Sequence, residues 1–243
     1  MTTVLILGSA PMAAEAADWP RAPFDCIVAI NNAHALRPDW DYHIHPWDFP
    51  ADRRPVPGPG QRLITQDDFV PAQNALGGFV YAGGTMAFTA LYWALHSLAP
   101  RVIAVFGCDM HYPTAGPTHF YGTGAPDPLR PDITLRSLEA KSARALVLAA
   151  QRGTALVNLS AGPSRLVFPR HPRALAHLAQ PHPYDAPRAA EALAREADLG
   201  YHVASGRYWE EADRFDPAEI DRLDALWRAA ATAPRLVPRA ARP

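Results

Sequence analysis

Short apolar runs that each end in small or polar turn residues constrain the fold of this chain more than any other feature. The run Thr3–Leu7 passes directly into the turn Gly8–Pro11, and the run Cys26–Ile30 ends at Asn31. Similar runs follow at Tyr42–His45, Val102–Phe106 and Ala155–Leu159. Continuous apolar character is typical of strands that are covered on both faces, as in parallel sheets. The runs therefore predict the strands of a parallel sheet.

Helical segments are predicted between and after these strands. Gly83-Gly84 opens an apolar helix over Thr85–Leu98, and Thr134–Arg152 has the spacing of an amphipathic helix, on whose surface Glu139 and Lys141 are expected. The alternation predicts an α/β fold, Rossmann-like and doubly wound, with a mostly parallel sheet. We place this domain at residues 1–170 and a C-terminal helical extension at 171–243. The aromatic, Gly/Pro-rich stretch 111–131 predicts a lid loop.

Composition limits the classes of partner. The 243 residues carry 23 Lys+Arg against 24 Asp+Glu, so the net charge of −1 gives no general attraction to nucleic acid or to an anionic membrane. The two cysteines, Cys26 and Cys108, lie in apolar runs without a CxxC pattern, which predicts buried thiols and no thiolate zinc site. The N-terminus lacks a signal-peptide pattern, and no apolar stretch is long enough to span a membrane, so a cytoplasmic location is expected. A homo-oligomer is left open.

The turns that follow the strands collect at one edge of a parallel sheet, and ligands of such sheets bind there. Small residues beside helix N-termini, with amide and hydroxyl side chains, suit a nucleotide phosphate and a ribose. Taken singly, each of these turns is also an ordinary strand-to-helix connection. The predicted nucleotide-binding residues are Gly8, Ser9, Ala10, Pro11, Asn31, Asn32, Gly83, Gly84, Thr85, Asp109 and Ser160.

Several common nucleotide and hydrolase motifs are missing. The first turn is not GxGxxG, and Asn31-Asn32 stands where an NAD-binding protein carries an acidic residue after its second strand. GxxxxGK[ST] and GxSxG are also absent from the sequence. A dinucleotide dehydrogenase is therefore disfavoured, and a P-loop kinase and an α/β-hydrolase are excluded.

The motifs GSAPM, AINNA, GGTMAF, VFGCDMHY and ALVNLSAGPSRL, in this order, resemble those of bacterial sialyltransferase-like glycosyltransferases. They also resemble the motility-associated glycosyltransferase-like family that is related to a 6-hydroxymethylpterin pyrophosphokinase. The resemblance covers roughly residues 3–170. It implies a Rossmann-like domain that binds a nucleotide sugar, of CMP type in the sialyltransferases, without a metal site or a resident cofactor. It places Gly8, Ser9 and Pro11 against the nucleotide, Asn31 against a phosphate or the donor sugar, and Gly84-Thr85 against the base or ribose.

The sequence departs from this family at the catalytic base. Sialyltransferases carry a histidine near the start of the helix after the lid, where this chain has Arg136 and Ser137. His45, His111 and His119 are the replacements considered, because a histidine accepts a hydroxyl proton near neutral pH. We prefer His119, in the glycine-rich part of the lid, over His111. A two-histidine metal site at His43 and His45 lacks a third ligand of suitable spacing.

Further side chains are candidates for the substrate site. Tyr112, Phe120 and Tyr121 suit the wall of a sugar or base site or a small core within the loop. Arg130, Arg136 and Arg144 suit either a phosphate leaving group or a solvated helix face. The substrate-binding prediction is Tyr112, Tyr121 and Arg136.

Three functions remain open on these residues. The first is a metal-independent glycosyltransferase acting on a nucleotide sugar and a glycan or small-molecule acceptor. The second is a pyrophosphokinase-like enzyme with Mg²⁺ held by carboxylates such as that of Asp109. The third is a non-catalytic protein that binds a nucleotide or glycan. Gly8→Val is expected to remove nucleotide binding without unfolding the chain, and Asn31→Ala to weaken it more than Asn32→Ala.

Overall fold

The computed structural model of the chain describes residues 2–112, 116–124 and 130–232. A six-stranded sheet lies at its centre, and every neighbouring pair of strands is parallel. In chain order the strands are β1 (Thr3–Leu7), β2 (Cys26–Ile30), β3 (Tyr42–Ile44), β4 (Arg62–Ile64), β5 (Val102–Phe106) and β6 (Ala155–Asn158). The predicted α/β fold with a parallel sheet is confirmed.

The strand order is β4-β3-β2-β1-β5-β6. The chain lays down its first four strands outward from β1 in one direction, then returns to add β5 on the other side of β1. Strand order therefore reverses between β1 and β5, where residues pair in register from Thr3 with Val102 to Leu7 with Phe106. In open parallel sheets, ligands bind outside the carboxyl ends of the strands at such a switch point.

Both faces of the sheet are covered. The α-helices are α1 (Gln66–Asn74), α2 (Phe79–Ala82), α3 (Met86–Ser97), α4 (Leu138–Gln151), α5 (Ala186–Leu199) and α6 (Pro217–Ala230). Val4 and Ile6 belong to the apolar cluster on the α-helical face, whereas Leu5 and Leu7 point to the other face, which is covered by short 3-10 helices. None of the helices in the described ranges combines the length and apolar character needed to cross a membrane.

Element ends differ from the sequence predictions in places. The predicted helix over Thr85–Leu98 begins at Met86, because the Thr85 hydroxyl caps it by accepting from the Phe88 amide at 3.3 Å. The predicted helix over Thr134–Arg152 begins only at Leu138, after a short 3-10 turn. Strand β4 and helices α1 and α2 lie in a stretch for which the sequence predicted no element.

Helix α6 packs on α4 and helix α5 packs on α6, and Trp227 of α6 lies in the same apolar cluster as the strands. Two basic residues of α4 are buried beneath them. Lys141 pairs with Asp224 at 2.9 Å, and Arg144 pairs with Glu196 at 2.6 Å. The expectation that Lys141 lies on the helix surface is therefore wrong, and Arg144 neither faces solvent nor reaches toward a phosphate site.

Candidate functional site

Gly8 and Gly107, which follow β1 and β5, pack against each other at the switch point. The Gly8 amide donates to the Phe106 carbonyl at 2.8 Å, and the Ala10 amide donates to the Gly107 carbonyl at 2.9 Å. A Cβ atom on Gly8 would lie 2.4 Å from the Gly107 carbonyl oxygen, which is closer than real contacts allow. These two amides are thus engaged within the protein, and Ser9 remains the residue of this turn whose amide could meet a phosphate. This packing predicts that Gly8→Val destabilises the protein, whereas the sequence alone predicted an intact fold.

The described part of the lid lies on this turn. Residues 119–122 form a tight turn in which the His119 amide donates to the Gly122 carbonyl at 2.9 Å and the Gly122 amide donates back at 3.1 Å. The Phe120 amide donates to the Ser9 carbonyl at 3.0 Å, and the Phe120 ring packs beside the second apolar cluster. The lid therefore brings His119 to the mouth of the switch point. Residues 113–115 and 125–129 of the predicted lid lie outside the described residues.

The hydrogen bonds of Thr118 bear on which ring nitrogen of His119 carries the hydrogen. A hydroxyl has one hydrogen to donate and two lone pairs to accept with. The Thr118 hydroxyl donates to the Gly124 carbonyl at 3.1 Å and accepts from the Gly124 amide at 2.9 Å. With the hydroxyl hydrogen assigned to the Gly124 carbonyl, its remaining lone pair faces His119 Nδ1 at 2.9 Å, and this assignment puts the ring hydrogen on Nδ1. In the neutral ring, Nε2 is then left as the proton acceptor.

Aromatic rings surround His119. The Tyr121 ring stacks on it with the ring centres 4.9 Å apart, and the Tyr112 ring is tilted at 6.2 Å. Burial among these groups lowers the pKa of His119 below its ordinary value, because desolvation disfavours the charged ring. The structure therefore places Tyr112 and Tyr121 against His119, an arrangement that fits both a substrate wall and a small core within the loop, and it leaves His111 exposed at the start of the lid.

Asp109 joins the ends of β5 and β6. Its carboxylate is 2% exposed, and it accepts from Asn158 Nδ2 at 3.0 Å and from the Ser160 hydroxyl at 2.6 Å. Each oxygen thus accepts a hydrogen bond from a side chain that holds the strand ends together, and the Arg170 guanidinium lies 3.8 Å from the same carboxylate. Among the described residues, no group of three or more His, Cys, Asp or Glu side chains could hold a metal ion.

Asn31 has an unusual backbone at the end of β2. Its φ of 49° lies in the left-handed region, which side-chain-bearing residues rarely adopt. Its carbonyl accepts two hydrogen bonds, from His34 Nδ1 at 2.8 Å and from His43 Nε2 at 2.7 Å. Its side-chain Oδ1 is buried without a hydrogen-bond partner among the described residues. Asn32 follows it inside the short 3-10 helix Asn31–Leu36.

The predicted residues before α3 pack under the segment that follows the lid. The Gly84 amide donates to the Thr134 hydroxyl at 2.9 Å, and the Gly84 carbonyl accepts from Arg130 at 3.1 Å. A Cβ on Gly84 would lie 2.6 Å from the Tyr208 hydroxyl. Gly83, with φ of 96°, ends α2 and turns the chain into α3. This corner therefore joins the N-terminus of α3 to the C-terminal extension.

A cleft of about 420 Å³ opens beside this corner, lined by residues 130–133, by Leu135 and Arg136, and by Ala212, Phe215 and Pro217 of the C-terminal extension. Arg136 lines it and forms two hydrogen bonds with Asp221, at 2.7 and 2.5 Å. Arg136 thus contacts α6, and a substrate-binding role for it stays a prediction.

Two residues of this edge were not identified from the sequence. His34 contacts Asn31 from the last turn of the 3-10 helix, and the spacing of three residues between them is the signal that could have found it. Trp47 follows β3 and is 66% exposed at the same edge of the sheet. Its carbonyl accepts from Arg54 at 3.0 Å. His45 is 3% exposed, so its burial removes it as a base that a substrate could reach.

Comparisons with known proteins give no match: no family model fits the chain, and no curated protein and no solved structure matches it.

Proposed function

We propose that the protein is a glycosyltransferase-like enzyme that binds a nucleotide-activated sugar, with a CMP-sugar favoured, at the switch point between β1 and β5. It transfers the sugar to a glycan or small-molecule acceptor without a metal ion. One observation carries the proposal: the Phe120 amide of the lid donates to Ser9, which places the neighbouring His119 beside this turn, and none of the described residues forms a hydrogen bond with its Nε2. The resemblance of the sequence motifs to sialyltransferase-like enzymes supports the choice of donor.

The reaction needs one proton acceptor. The acceptor hydroxyl attacks the anomeric carbon of the donor sugar, and the bond from that carbon to the nucleotide phosphate breaks with its electron pair leaving on the phosphate. His119 Nε2 takes the proton of the attacking hydroxyl. Burial lowers the pKa of His119, which keeps the ring neutral and ready to accept at neutral pH. Tyr121, stacked on His119 and 48% exposed, offers a flat face to the sugar or base.

The turn after β1 and the end of β2 supply the groups for the donor. In this proposal Ser9 meets the phosphate and Asn31 the donor sugar. The buried Oδ1 of Asn31 has no hydrogen-bond partner in the described part of the chain and can only accept, so a sugar hydroxyl suits it better than a phosphate oxygen does. Asp109 and Ser160 contribute by fixing the ends of β5 and β6, since their polar atoms already bond one another.

A thermal-shift screen of CMP, UDP, GDP and ATP tests the proposed donor class. CMP is expected to stabilise the protein most, by about 2.7 kcal/mol at 100 times its Kd. Release of CMP from a CMP-sugar is then followed with and without EDTA, and the rate is expected to be the same in both. No shift with any nucleotide contradicts the proposal.

The alternative functions give different outcomes in the same experiment. A pyrophosphokinase-like enzyme binds ATP and loses activity in EDTA; the engagement of both Asp109 oxygens speaks against it. A non-catalytic binding protein shifts with a nucleotide but never releases CMP from the donor. The α4 N-terminus favours this third outcome, because Arg136 is paired with Asp221 and Ser137 caps the helix, so neither acts as a base.

A further inference from the structure

The end of β2 holds a strained residue in place with two histidines. A left-handed backbone costs a side-chain-bearing residue about 1–3 kcal/mol, so the surrounding contacts must impose it. Among the described residues, the only non-glycine residues with positive φ are Asn31, Ala99 and Met110. Asn31 and Met110 lie at the carboxyl edge of the sheet that carries the candidate site. Such strain is found preferentially at functional sites.

Each histidine approaches the Asn31 carbonyl from a different element. His34 reaches it from three residues further along the same 3-10 helix, and His43 reaches it from the neighbouring strand β3. A carbonyl oxygen only accepts hydrogen bonds, so His34 carries a hydrogen on Nδ1 and His43 on Nε2. The two rings also contact each other edge to face, 4.8 Å between centres. The peptide of Asn31 is therefore held from two sides. Its side-chain Oδ1 is buried, and none of the residues that the structure describes donates a hydrogen bond to it.

We infer that His34 and His43 are positioning residues that hold Asn31 left-handed so that its side-chain amide meets a hydroxyl or amine of the bound nucleotide sugar. The inference rests on the proposed function for the identity of the ligand. It assigns no contact between either histidine and the ligand. A buried acceptor without a partner costs about 1–3 kcal/mol, and a ligand N–H or O–H that bonds to it removes that cost.

Variants of the two histidines separate this role from simple packing. His43→Gln keeps an N–H at the reach of Nε2, whereas His43→Leu fills the space without a donor. Likewise, His34→Asn keeps a donor at the reach of Nδ1, and His34→Ala removes it. His43 is fully buried, so His43→Leu carries a risk of unfolding; His34 is only partly buried, and its variants keep the inference testable.

Crystal structures of the free variants give the first measurement. Asn31 is expected to keep a φ near 49° in the parent, His43→Gln and His34→Asn, and to leave the left-handed region in His34→Ala or His43→Leu. Asn31 unchanged in both donor-free variants overturns the inference, whatever the protein binds.

Binding calorimetry with CMP and with an unreactive CMP-sugar analogue gives the second measurement. If the parent binds the analogue, Asn31→Ala and His34→Ala are each expected to lower the affinity for the analogue about tenfold. In the Asn31→Ala background, His34→Ala should change affinity by less than about twofold, because both changes remove the same contact. Full additivity, or unchanged affinity in Asn31→Ala, overturns the inference while leaving the proposed function intact. If the backbone of Asn31 moves as expected but the parent binds neither probe, the positioning of Asn31 stands and the proposed function fails.

Discussion

The guanidinium of Arg144 and the carboxylate of Glu196 meet in two hydrogen bonds, of 2.6 and 2.8 Å, between α4 and α5. Their side chains are 1% and 6% exposed. The remaining Arg144 donors reach the Tyr92 hydroxyl at 2.8 Å and the Leu76 carbonyl at 2.6 Å, and Trp227 Nε1 donates to Glu196 at 2.8 Å. This buried network fastens the C-terminal helices to the sheet domain.

Removing one partner leaves the other charge buried alone. We expect Glu196→Ala to lower the free energy of unfolding by about 3–5 kcal/mol, measured by urea titration. The matched control is Glu210→Ala, which breaks a solvent-exposed pair with Arg207 and should cost less than about 1 kcal/mol. Equal costs for the two variants would show that the buried network does not hold the helices.

Any side chain at Gly8 is expected to lower the free energy of unfolding. In Gly8→Ala, the added Cβ meets the Gly107 carbonyl and the Cys108 sulfur, at 2.4 and 2.7 Å in the present packing. We expect a loss of stability of about 1–3 kcal/mol, the usual cost of overpacking, seen as a lower Tm. Gly58→Ala is the matched control, because Gly58, like Gly8, is not among the glycines with positive φ and its added Cβ meets only the end of the Gln61 side chain, at 3.3 Å. A Gly8→Ala protein as stable as the parent contradicts the close contact between β1 and β5 turns.

Acid is expected to destabilise the protein through His43. Burial lowers the pKa of His43 from its ordinary 6.5 to about 4. Its ring lies against those of His34 and His45, which disfavour a second positive charge, and against the uncharged rings of Trp40 and Phe49. The unfolded chain takes up the proton first, so stability falls as the pH drops from 6.5 towards 4, by about 3 kcal/mol in all.

The His43→Gln variant isolates this contribution, because its side chain does not titrate. Subtracting its stability profile from that of the parent cancels the shared carboxylates. If the difference in the free energy of unfolding between the parent and His43→Gln is constant from pH 6.5 to pH 4, a buried, neutral His43 is contradicted.

Thr118 is expected to set the tautomer of His119. Thr118→Val removes the hydroxyl that accepts from Nδ1, so the ring is no longer held with its hydrogen there. Nitrogen NMR of the labelled protein should report the Nδ1–H form in the parent and in Thr118→Ser, and a mixture of tautomers in Thr118→Val. Turnover in Thr118→Val should fall about tenfold, the worth of one hydrogen bond. An Nε2–H ring in the parent would contradict the hydrogen bonding described for the lid.

The strands with long apolar runs were predictable because they are buried on both faces. Strand β4 was not: it has three residues, Arg62 is exposed, and it emerges from a Pro/Gly-rich loop. Arg144 was misplaced because its acidic partner lies in a helix 52 residues later in the chain. Burial of a charged side chain depends on such distant partners, which sequence periodicity does not reveal.

The candidate site was predictable only to the level of the sheet edge. Turn residues after parallel strands identify that edge from the sequence alone, as Ser9 and Asn31 illustrate. The engagement of the Gly8 amide, the left-handed backbone of Asn31 and the pairing of Thr118 with His119 arise from contacts between elements. These contacts decide which polar atoms are free for a ligand.

The turnover of His119→Ala tests the central claim most directly. CMP release from a CMP-sugar is measured for the parent, His119→Ala and His111→Ala, with CMP affinity measured by calorimetry for each. We expect His119→Ala to lose about 10²–10⁴-fold in rate with its CMP affinity preserved, and His111→Ala to lose much less. A parent that releases no CMP from any donor, or a His119→Ala variant that turns over like the parent, would contradict the account.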